Sequence, residues 1–245
     1  MDRQRVLVTG ASSGLGAHMA LWLAARGARV AAAARRVEAL EALAAEAAGR
    51  LVPVAMDVSD AESVRRGVAA AAEALGGLDG LVNNAGIAWS GRSLEMPDED
   101  WQRVIDTNLS GVFRVAQAAA RAMAERQGGA IVNIASILGL GTGHGLAAYC
   151  TSKAAVAHLT RTLAMEWARL GIRVNALAPG FFPTAMNRDF LESAEGEKLR
   201  KRVPMGRFGR FEDLEGPLEL LLGDRGAYIT GVVLPVDGGH LVRAL

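Results

Sequence analysis

Short apolar runs alternate with longer helix-forming stretches along this chain, and this alternation limits the possible folds more than any other feature. The apolar runs cover residues 6–8, 30–34, 51–56, 80–83, 130–135, 173–178 and 226–236. The stretches rich in Ala, Leu, Glu and Arg cover residues 16–26, 37–48, 61–75, 98–124, 147–170 and 211–221. Strands separated by helices favour right-handed crossovers and a parallel sheet with helices on both faces. We therefore predict an α/β fold of three αβα layers with about seven strands.

A glycine-rich turn, TGASSGLG at residues 9–16, follows the first apolar run. Glycines at such a turn let the backbone bend sharply and approach a pyrophosphate, to which the next helix presents free N–H groups. The spacing is GxxxGxG rather than GxGxxG, and glycines also occur in tight turns for steric reasons alone. The position in the first βα unit nevertheless favours a dinucleotide site, and with it a Rossmann-type doubly wound parallel sheet.

The residues at the end of the second apolar run indicate which of the two nicotinamide dinucleotides, NAD or NADP, the chain would bind. An acidic residue at this place accepts the adenosine ribose hydroxyls, whereas an Arg accommodates a 2′-phosphate. The sequence here reads Ala34-Arg35-Arg36, without a carboxylate. The two arginines would also suit a solvated helix start. Charge-assisted hydrogen bonds from a guanidinium to a phosphate favour NADP, with NAD as the less favoured alternative.

Composition and charge argue against several classes of protein. The net charge of +1 offers nucleic acid and anionic membranes no long-range attraction. The sequence has no uninterrupted apolar run of about 18 residues, and its first strand leaves no room for a signal peptide. The single cysteine, Cys150, favours a reducing compartment. We expect a cytoplasmic protein with no nucleic-acid or membrane partner.

Nothing in the sequence divides the chain into separate parts. Because it has no linker, repeat or charged tail, we predict one dinucleotide-binding and catalytic domain over residues 1–245. Residues 185–210 fit the alternation worst, because they are polar and contain several glycines and a proline. We expect this stretch to be a mobile substrate-binding loop over the site.

A set of short motifs resembles those of one family along nearly the whole chain. They are TGASSGLG at 9–16, Asp57-Val58, NNAG at 83–86, Asn108, Ser136, YCTSK at 149–153 and Pro179-Gly180. The set is similar to that of the short-chain dehydrogenase/reductase family in its core subgroup. Within it the chain looks most like 3-oxoacyl-carrier-protein reductases and sugar or sugar-acid dehydrogenases.

The resemblance implies which residues contact the cofactor. The implied set is Gly10, Ser12, Ser13, Gly14, Leu15, Gly16, Arg35, Arg36, Asp57, Val58, Asn84, Ala85, Gly86, Tyr149, Lys153, Pro179, Gly180, Phe182 and Thr184. Asp57 would bond the adenine amino group, and Asn84 to Gly86 would lie along the adenosine and central ribose. Phe182 and Thr184 would meet the nicotinamide carboxamide.

The resemblance also implies a catalytic group of Asn108, Ser136, Tyr149 and Lys153. Elementary chemistry supports the pairing of Tyr149 with Lys153. Tyr149 and Lys153 are four residues apart in a helical stretch, so their side chains share one face. A free Tyr has a pKa of about 10, which a neighbouring ammonium and the positive ring of the oxidised cofactor would lower. Tyr149 would then act as general acid and base, while Ser136 orients the substrate oxygen. Lys153 would also hold the nicotinamide ribose, and Asn108 would bend its helix and hold a water in the proton relay.

Several other residues are weaker candidates. The four histidines (His18, His144, His158, His240) have no carboxylate or cysteine partners at metal spacing, so we expect no metal site. His144, Trp89 and Met96 border the expected pocket, although loop or packing roles are equally open. Cys150 diverges from Tyr149 on the helix, which argues against a catalytic thiol. The basic run at residues 200–202 would attract an anionic substrate or be solvated surface.

The predicted function is NADP-dependent hydride transfer between the nicotinamide and a small-molecule carbonyl or secondary alcohol. The alternative, from a different class, is a non-catalytic dinucleotide-binding sensor or scaffold, since a fold does not fix a function. An acyl thioester, a sugar acid and other ketones are all open as substrates. The resemblance further implies a homotetramer or homodimer that uses the helices at 98–124 and 147–170 and the C-terminal strand.

Overall fold

The computed structural model describes residues 4–126, 128–185 and 187–242, and a parallel sheet forms its centre. The seven strands of this sheet lie in the order β3-β2-β1-β4-β5-β6-β7. They are β1 (Arg5–Thr9), β2 (Arg29–Ala34), β3 (Leu51–Ala55), β4 (Gly80–Asn83), β5 (Gly129–Ile134), β6 (Ile172–Pro179) and β7 (Val233–Val236). The predicted Rossmann-type doubly wound sheet is confirmed.

Helices connect the strands and cover both faces of the sheet, which gives the predicted three layers. They are α1 (Gly14–Ala25), α2 (Val37–Glu46), α3 (Ala61–Leu75), α4 (Asp98–Ile105), α5 (Gly111–Ala124), α6 (Ala147–Trp167), α7 (Arg188–Leu191), α8 (Ala194–Arg200) and α9 (Glu215–Leu222). Helices α1, α2 and α9 pack on one face. Helices α3, α5 and α6 pack on the other.

Most residues of the central strands are apolar because both of their faces are buried. In β1, Val6 and Val8 pack in the same cluster as Leu23 of α1. Leu7, which lies between them, faces the opposite layer and packs in the cluster that contains Val115 of α5. Successive side chains of a strand point to opposite faces, so a strand covered on both sides is apolar at most positions.

Three predicted elements differ from the structure. The helix expected at 98–124 is interrupted by a π-helical turn at Asp106–Ser110. The strand expected at 226–236 is confined to β7, since Gly231 adopts a φ of +79° just before it. The 185–210 segment contains the short helices α7 and α8 rather than loop alone.

Candidate active site

A groove of about 1240 Å³ opens at the carboxyl ends of the central strands. It crosses the point between β1 and β4 where the strand order reverses, and ligands of open α/β sheets bind at such points. All the residues predicted to contact the cofactor line this groove except Gly16. Of the predicted catalytic residues, Ser136, Tyr149 and Lys153 line it and Asn108 does not.

The glycine turn leaves no room for side chains at two of its positions. Gly10 and Gly14 have φ values of +65° and +57°, which side-chain-bearing residues rarely adopt. A Cβ on Gly10 would lie 2.8 Å from the Cα of Ala85. A Cβ on Gly16 would overlap the carbonyl oxygen of Gly10. Gly16 therefore lets α1 pack directly behind the turn, which explains why it does not reach the groove.

The N-terminus of α1 faces the groove without a neutralising group. Its N-cap residue, Ser13, makes no side-chain capping hydrogen bond, and the first turn of α1 carries no acidic residue. The first N–H groups of a helix lack intrahelical partners and carry the positive end of its dipole. This end of the groove therefore suits an anion such as a phosphate.

Arg36 is held at the entrance to the glycine turn. Its Nη2 donates to Ser12 Oγ at 3.0 Å and lies 3.4 Å from Ser13 Oγ. Neighbouring Arg35 lies close enough to Asp57 to affect its ionisation. The two arginines thus add positive charge to the groove at the end of β2, where the sequence predicted a 2′-phosphate.

Asp57 is kept ionised by a residue that the sequence analysis missed. The N–H and Oγ–H of Ser59 donate to Asp57 Oδ1 at 2.9 and 2.6 Å. Partial burial opposes ionisation, but these bonds and the Arg35 charge hold the pKa of Asp57 below its ordinary value. An aspartate side chain commonly accepts a hydrogen bond from the backbone two residues further along the chain and so forms a local turn. The signal in the sequence is therefore Asp57 with a serine two residues after it. The carboxylate is therefore set to accept hydrogen bonds from an amino group.

Asn84 and Thr9 fasten the glycine turn to the end of β4. Asn84 Nδ2 donates to the carbonyl oxygens of Thr9 and Gly10 at 3.0 and 3.3 Å. Thr9 Oγ1 accepts from the N–H groups of Asn84 and Ala85 at 3.0 and 3.1 Å. The Asn84 side chain is thus engaged by the protein itself. Thr9, absent from the predicted set, takes part because its hydroxyl lies at the strand end.

Ser136, Tyr149 and Lys153 meet on the opposite side of the groove. Ser136 follows β5, and its hydroxyl accepts from the N–H of Leu138 at 3.1 Å. Tyr149 and Lys153 lie one turn apart in α6, with Lys153 Nζ 5.8 Å from the centroid of the Tyr149 ring. Lys153 is 3% exposed, and its Nζ donates to the carbonyl oxygen of Ile134 at 2.7 Å. The two side chains therefore face one region, as their spacing predicted.

The ionisation of this pair differs from the sequence expectation. Burial lowers the pKa of Lys153 to about 8. Partial withdrawal from water raises the pKa of Tyr149 above its ordinary value, and the nearby Ser136 hydroxyl opposes this only in part. The Lys153 ammonium, itself desolvated and bonded to Ile134, does not reverse the effect. The protein's own side chains therefore leave the Tyr149 phenol protonated.

Asn108 lies buried behind the groove, in the π-helical turn between α4 and α5. Its Oδ1 accepts from the N–H of Ile87, and its Nδ2 donates to the carbonyl oxygen of Ile87, both at 2.8 Å. Nδ2 also lies 3.1 Å from Ser152 Oγ, which in turn donates to the carbonyl oxygen of Tyr149 at 2.8 Å. The residue implied to bend its helix thus lies in a π-helical turn, and its side chain ties the β4 loop to the helix that carries Tyr149.

The chain segment after β6 closes the groove beside the glycine turn. Phe182 is 4% exposed, and its ring packs against Gly209, so its side chain lies mainly in the core. A Cβ built on Gly14 would lie 3.7 Å from the Cγ2 methyl of Thr184. Asn187, which the sequence analysis missed, lines the groove and hydrogen-bonds both Thr184 and Phe182. This segment therefore brings Thr184 to the phosphate turn.

A further group of groove residues has no signal in the sequence. They lie on α4 and the π-helical turn and comprise Glu99, Gln102, Arg103, Asp106 and Thr107. These residues look like an ordinary solvated helix face. Only the tertiary packing of α4 brings that face to the groove.

The weaker candidates lie outside the groove. His144 is exposed, Trp89 packs against Gly91, and neither they nor Met96 belong to the described groove lining. Arg200, in the basic run, pairs with Glu197.

In the stretches 4–126, 128–185 and 187–242, no group of three or more His, Cys, Asp or Glu residues could hold a metal ion. Within the same stretches, no helix combines the length and apolar character needed to cross a bilayer.

Comparison with known proteins agrees with this geometry. The family model described as short chain dehydrogenase matches residues 4–195. A 3-oxoacyl-(acyl-carrier-protein) reductase, FabG, of Thermotoga maritima is 39% identical over 239 residues, which cover 96% of this chain and 97% of that protein. A gluconate 5-dehydrogenase of Gluconobacter oxydans is 41% identical over 242 residues, which cover 97% and 94% of the two chains.

Solved structures give the same result. The crystal structure of a gluconate 5-dehydrogenase from Burkholderia cenocepacia, in complex with NADP and tartrate, matches with a TM-score of 0.95 at 35% identity. The match covers 100% of this chain and 97% of that one. A short-chain type dehydrogenase/reductase from Mycobacterium marinum matches with a TM-score of 0.93 at 41% identity, over 99% and 97% of the two chains. The chain therefore belongs to the short-chain dehydrogenase/reductase family of oxidoreductases.

Proposed function

We propose that this protein is an NADP(H)-dependent oxidoreductase that moves a hydride between the nicotinamide and a carbonyl or secondary alcohol. The observation that carries the proposal is one groove that contains both the glycine turn with Arg36 and the group of Ser136, Tyr149 and Lys153. A phosphate-binding end and a proton-donating end on the same groove are what such a reaction requires.

The residues present fit a phosphorylated dinucleotide. The glycine turn offers backbone that is free of side chains at Gly10, Gly14 and Gly16, and the N-terminus of α1 offers unpaired N–H groups. Arg36 would hold the 2′-phosphate with help from Ser13, and the Asp57 carboxylate would accept from the adenine amino group. When bound, NADP(H) supplies the hydride donor or acceptor and, in its oxidised form, a positively charged ring. The related gluconate 5-dehydrogenase of B. cenocepacia, crystallised with NADP, supports this choice.

Tyr149 would move the proton. In carbonyl reduction its hydroxyl donates a proton to the substrate oxygen as that oxygen gains negative charge. The Ser136 hydroxyl donates a hydrogen bond to the same oxygen and stabilises its charge. The raised pKa of Tyr149 keeps the phenol protonated, which is the form that reduction needs. In alcohol oxidation Tyr149 takes the proton back, so a positive charge nearby must then lower its pKa.

Lys153 and Asn108 would support this transfer. One Lys153 N–H bonds the carbonyl oxygen of Ile134, which leaves the others for the nicotinamide ribose hydroxyls. Asn108 fixes the backbone of Ile87 and bonds Ser152 next to Tyr149. A role for Asn108 in holding a relay water is consistent with its position one shell behind the tyrosine.

The remaining predictions are kept as part of this proposal. Residues 1–245 would work as one unit, with residues 185–210 as the substrate-binding loop. The substrate would be an acyl thioester, a sugar acid or another ketone, since relatives named for both of the first two classes match equally well. Exposed Trp101 on α4, Phe113 on α5 and Met165 on α6 support self-association through these helices.

The test compares wild type with Tyr149→Phe, which removes only the phenolic hydroxyl. NADPH oxidation is followed with a panel that includes a 3-oxoacyl thioester, a keto-sugar acid and simple ketones, and NADPH affinity is measured separately by fluorescence. We expect turnover to fall by about 10²–10⁴-fold with little change in affinity. Equal turnover by both proteins would refute the role of Tyr149. NADPH binding without turnover of any carbonyl would favour the non-catalytic sensor.

A further inference from the structure

One side-chain amide holds the segment that brings Thr184 to the groove. The Oδ1 of Asn187 accepts from the N–H of Thr184 at 2.8 Å and lies 3.1 Å from Thr184 Oγ1. The Nδ2 of Asn187 donates to the carbonyl oxygen of Phe182 at 3.0 Å. Asn187 and Thr184 both line the groove. Asn187 thus bonds two residues of the turn that faces the glycine turn.

The orientation of this amide follows from its partners. In the opposite orientation, Nδ2 would meet the Thr184 N–H, and Oδ1 would meet the Phe182 carbonyl oxygen. Both pairs are mismatched, so the partners select Oδ1 toward Thr184. An amide oxygen has no proton to give. The Thr184 hydroxyl must therefore donate to Asn187 Oδ1, and this leaves the lone pairs of Thr184 Oγ1 free to accept.

We propose that Asn187 is a positioning residue that turns the Thr184 hydroxyl into a hydrogen-bond acceptor for the amide N–H₂ of the nicotinamide. The inference rests on the proposed function, because it requires NADP(H) in the groove. Without Asn187, the Thr184 hydroxyl can rotate and donate its proton to another acceptor, and the Thr184 N–H loses its partner. With Asn187 present, the Thr184 hydroxyl recognises the carboxamide end of the cofactor, and Asn187 itself does not contact the reacting atoms.

The first experiment needs no cofactor. Hydrogen exchange followed by NMR reports the Thr184 amide in wild type and in Asn187→Ala. Asp189→Asn is the matched control, because it changes an exposed side chain of α7 and leaves Thr184 and Phe182 untouched. We expect the Thr184 amide to exchange about 10-fold faster in Asn187→Ala only. Unchanged exchange in Asn187→Ala would overturn the inference.

The second experiment measures equilibrium binding of NADP⁺ and of its 3-acetylpyridine analogue, which lacks the amide N–H₂. We expect Asn187→Ala and Thr184→Val each to weaken NADP⁺ binding by about 10-fold, and their combination to weaken it no further. Thr184→Ser, which keeps the hydroxyl, should bind like wild type. For the analogue, both losses should shrink to about twofold or less.

These results separate the inference from the function on which it rests. Equal loss for both dinucleotides, or additive loss in the double variant, would mean that Asn187 acts only on the backbone, and the inference would fall. Wild-type affinity for NADP⁺ in Asn187→Ala would overturn it as well. If the wild-type protein itself bound neither NADP⁺ nor NADPH, the proposed function would fail, and the inference with it.

Discussion

The glycine turn at 9–16 and the 185–210 segment border the same groove but are held in different ways. In the turn, backbone packs on backbone, and a Cβ on Gly10 would lie 2.8 Å from the Cα of Ala85. In the segment, polar side chains carry much of the structure. Ser193 Oγ accepts from the N–H of Gly196 at 3.2 Å, and Arg200 pairs with Glu197. Exposed contacts of this kind contribute about 1 kcal/mol or less each.

We propose that this difference separates a fixed cofactor side from an adaptable substrate side. The turn leaves no room for a side chain at Gly10 or Gly16, because an added Cβ would overlap neighbouring backbone atoms. The segment can exchange weak polar contacts without disturbing that sheet. Such a combination would let one fold keep its cofactor site while its substrate site varies.

Lys153 is buried across the groove from the glycine turn and gives the largest expected effect. Lys153→Met should lower turnover by about 10²–10³-fold, because the ammonium beside Tyr149 and the ribose is lost. The same change should stabilise the fold. Lowering the pKa of a buried Lys from 10.5 to about 8 corresponds to about 3 kcal/mol. After allowance for the unpaired Ile134 carbonyl, we expect a net gain of about 2 kcal/mol in the free energy of unfolding at neutral pH.

Urea denaturation at several pH values checks both the gain and its sign. Between about pH 8 and 10.5 the folded protein holds Lys153 neutral, while the unfolded chain still binds the proton. Unfolding then takes up a proton, so wild-type stability from this group rises with pH in that window. Lys153→Met should lack this rise. A variant less stable than wild type at neutral pH would contradict the buried-charge explanation.

A matched pair of glycine substitutions tests the two regions directly. Gly16→Ala should cost about 3 kcal/mol of stability and weaken NADPH binding strongly, because the new Cβ overlaps the Gly10 carbonyl. Gly206→Ala, in the segment, meets nothing within 4 Å and bears only the strain of its φ of +71°, which is about 1–2 kcal/mol. Its NADPH affinity should stay at the wild-type level. Equal losses in both variants would remove the distinction between the regions.

Substitution of Arg36 tests whether the cofactor side of the groove distinguishes NADPH from NADH. Arg36→Ala should weaken NADPH binding by about 10–100-fold and leave NADH binding nearly unchanged, since one or two charge-assisted bonds to the 2′-phosphate are lost. Arg26→Ala is a control of equal charge at the C-cap of α1, where Arg26 pairs with Glu219. Parallel loss for both cofactors would show that Arg36 supports the turn rather than the phosphate.

The smallest expected effect on stability concerns the ion pair between Arg207, near the end of the 185–210 segment, and Asp213. Arg207 donates to Asp213 at 2.6 and 3.0 Å, and this pairing lowers the pKa of Asp213 to about 2. Because the folded pKa is depressed, its stabilisation is complete above about pH 4 and is lost as pH falls toward 2. Asp213→Asn should therefore cost about 1 kcal/mol or less at neutral pH and progressively less under acid conditions. A larger acid than neutral difference would reverse the assigned sign.

The sequence predicted the fixed side well because backbone constraints limit which residues can occupy it. Only glycine suits the φ values of Gly10 and Gly14, so the turn leaves a visible pattern. The helical spacing of Tyr149 and Lys153 is equally direct. The alternation of apolar runs and helices predicted the sheet, since strands buried on both faces are apolar at most positions.

Contacts between distant segments were beyond such patterns. Nothing local to Thr9 shows that its side chain bonds the end of β4. The raised pKa of Tyr149 also went against expectation, because burial depends on how α6 packs against the groove. The prediction of one continuous helix at 98–124 did not include the π-helical turn at Asp106–Ser110. In this turn the side chain of Asn108 bonds the backbone of Ile87, which lies outside the helix.

The ionisation of Tyr149 tests the proposed chemistry most directly. The chain has two tyrosines, and Tyr228 is fully exposed, so Tyr228→Phe leaves Tyr149 as the single tyrosine. Carbon-13 labelling at Cζ then follows its titration by NMR with and without saturating NADP⁺. We predict a pKa above the ordinary value of about 10 in the protein alone, and a clear fall when the positive ring of NADP⁺ is present. A pKa that NADP⁺ leaves unchanged would contradict the assignment of Tyr149 as the proton carrier.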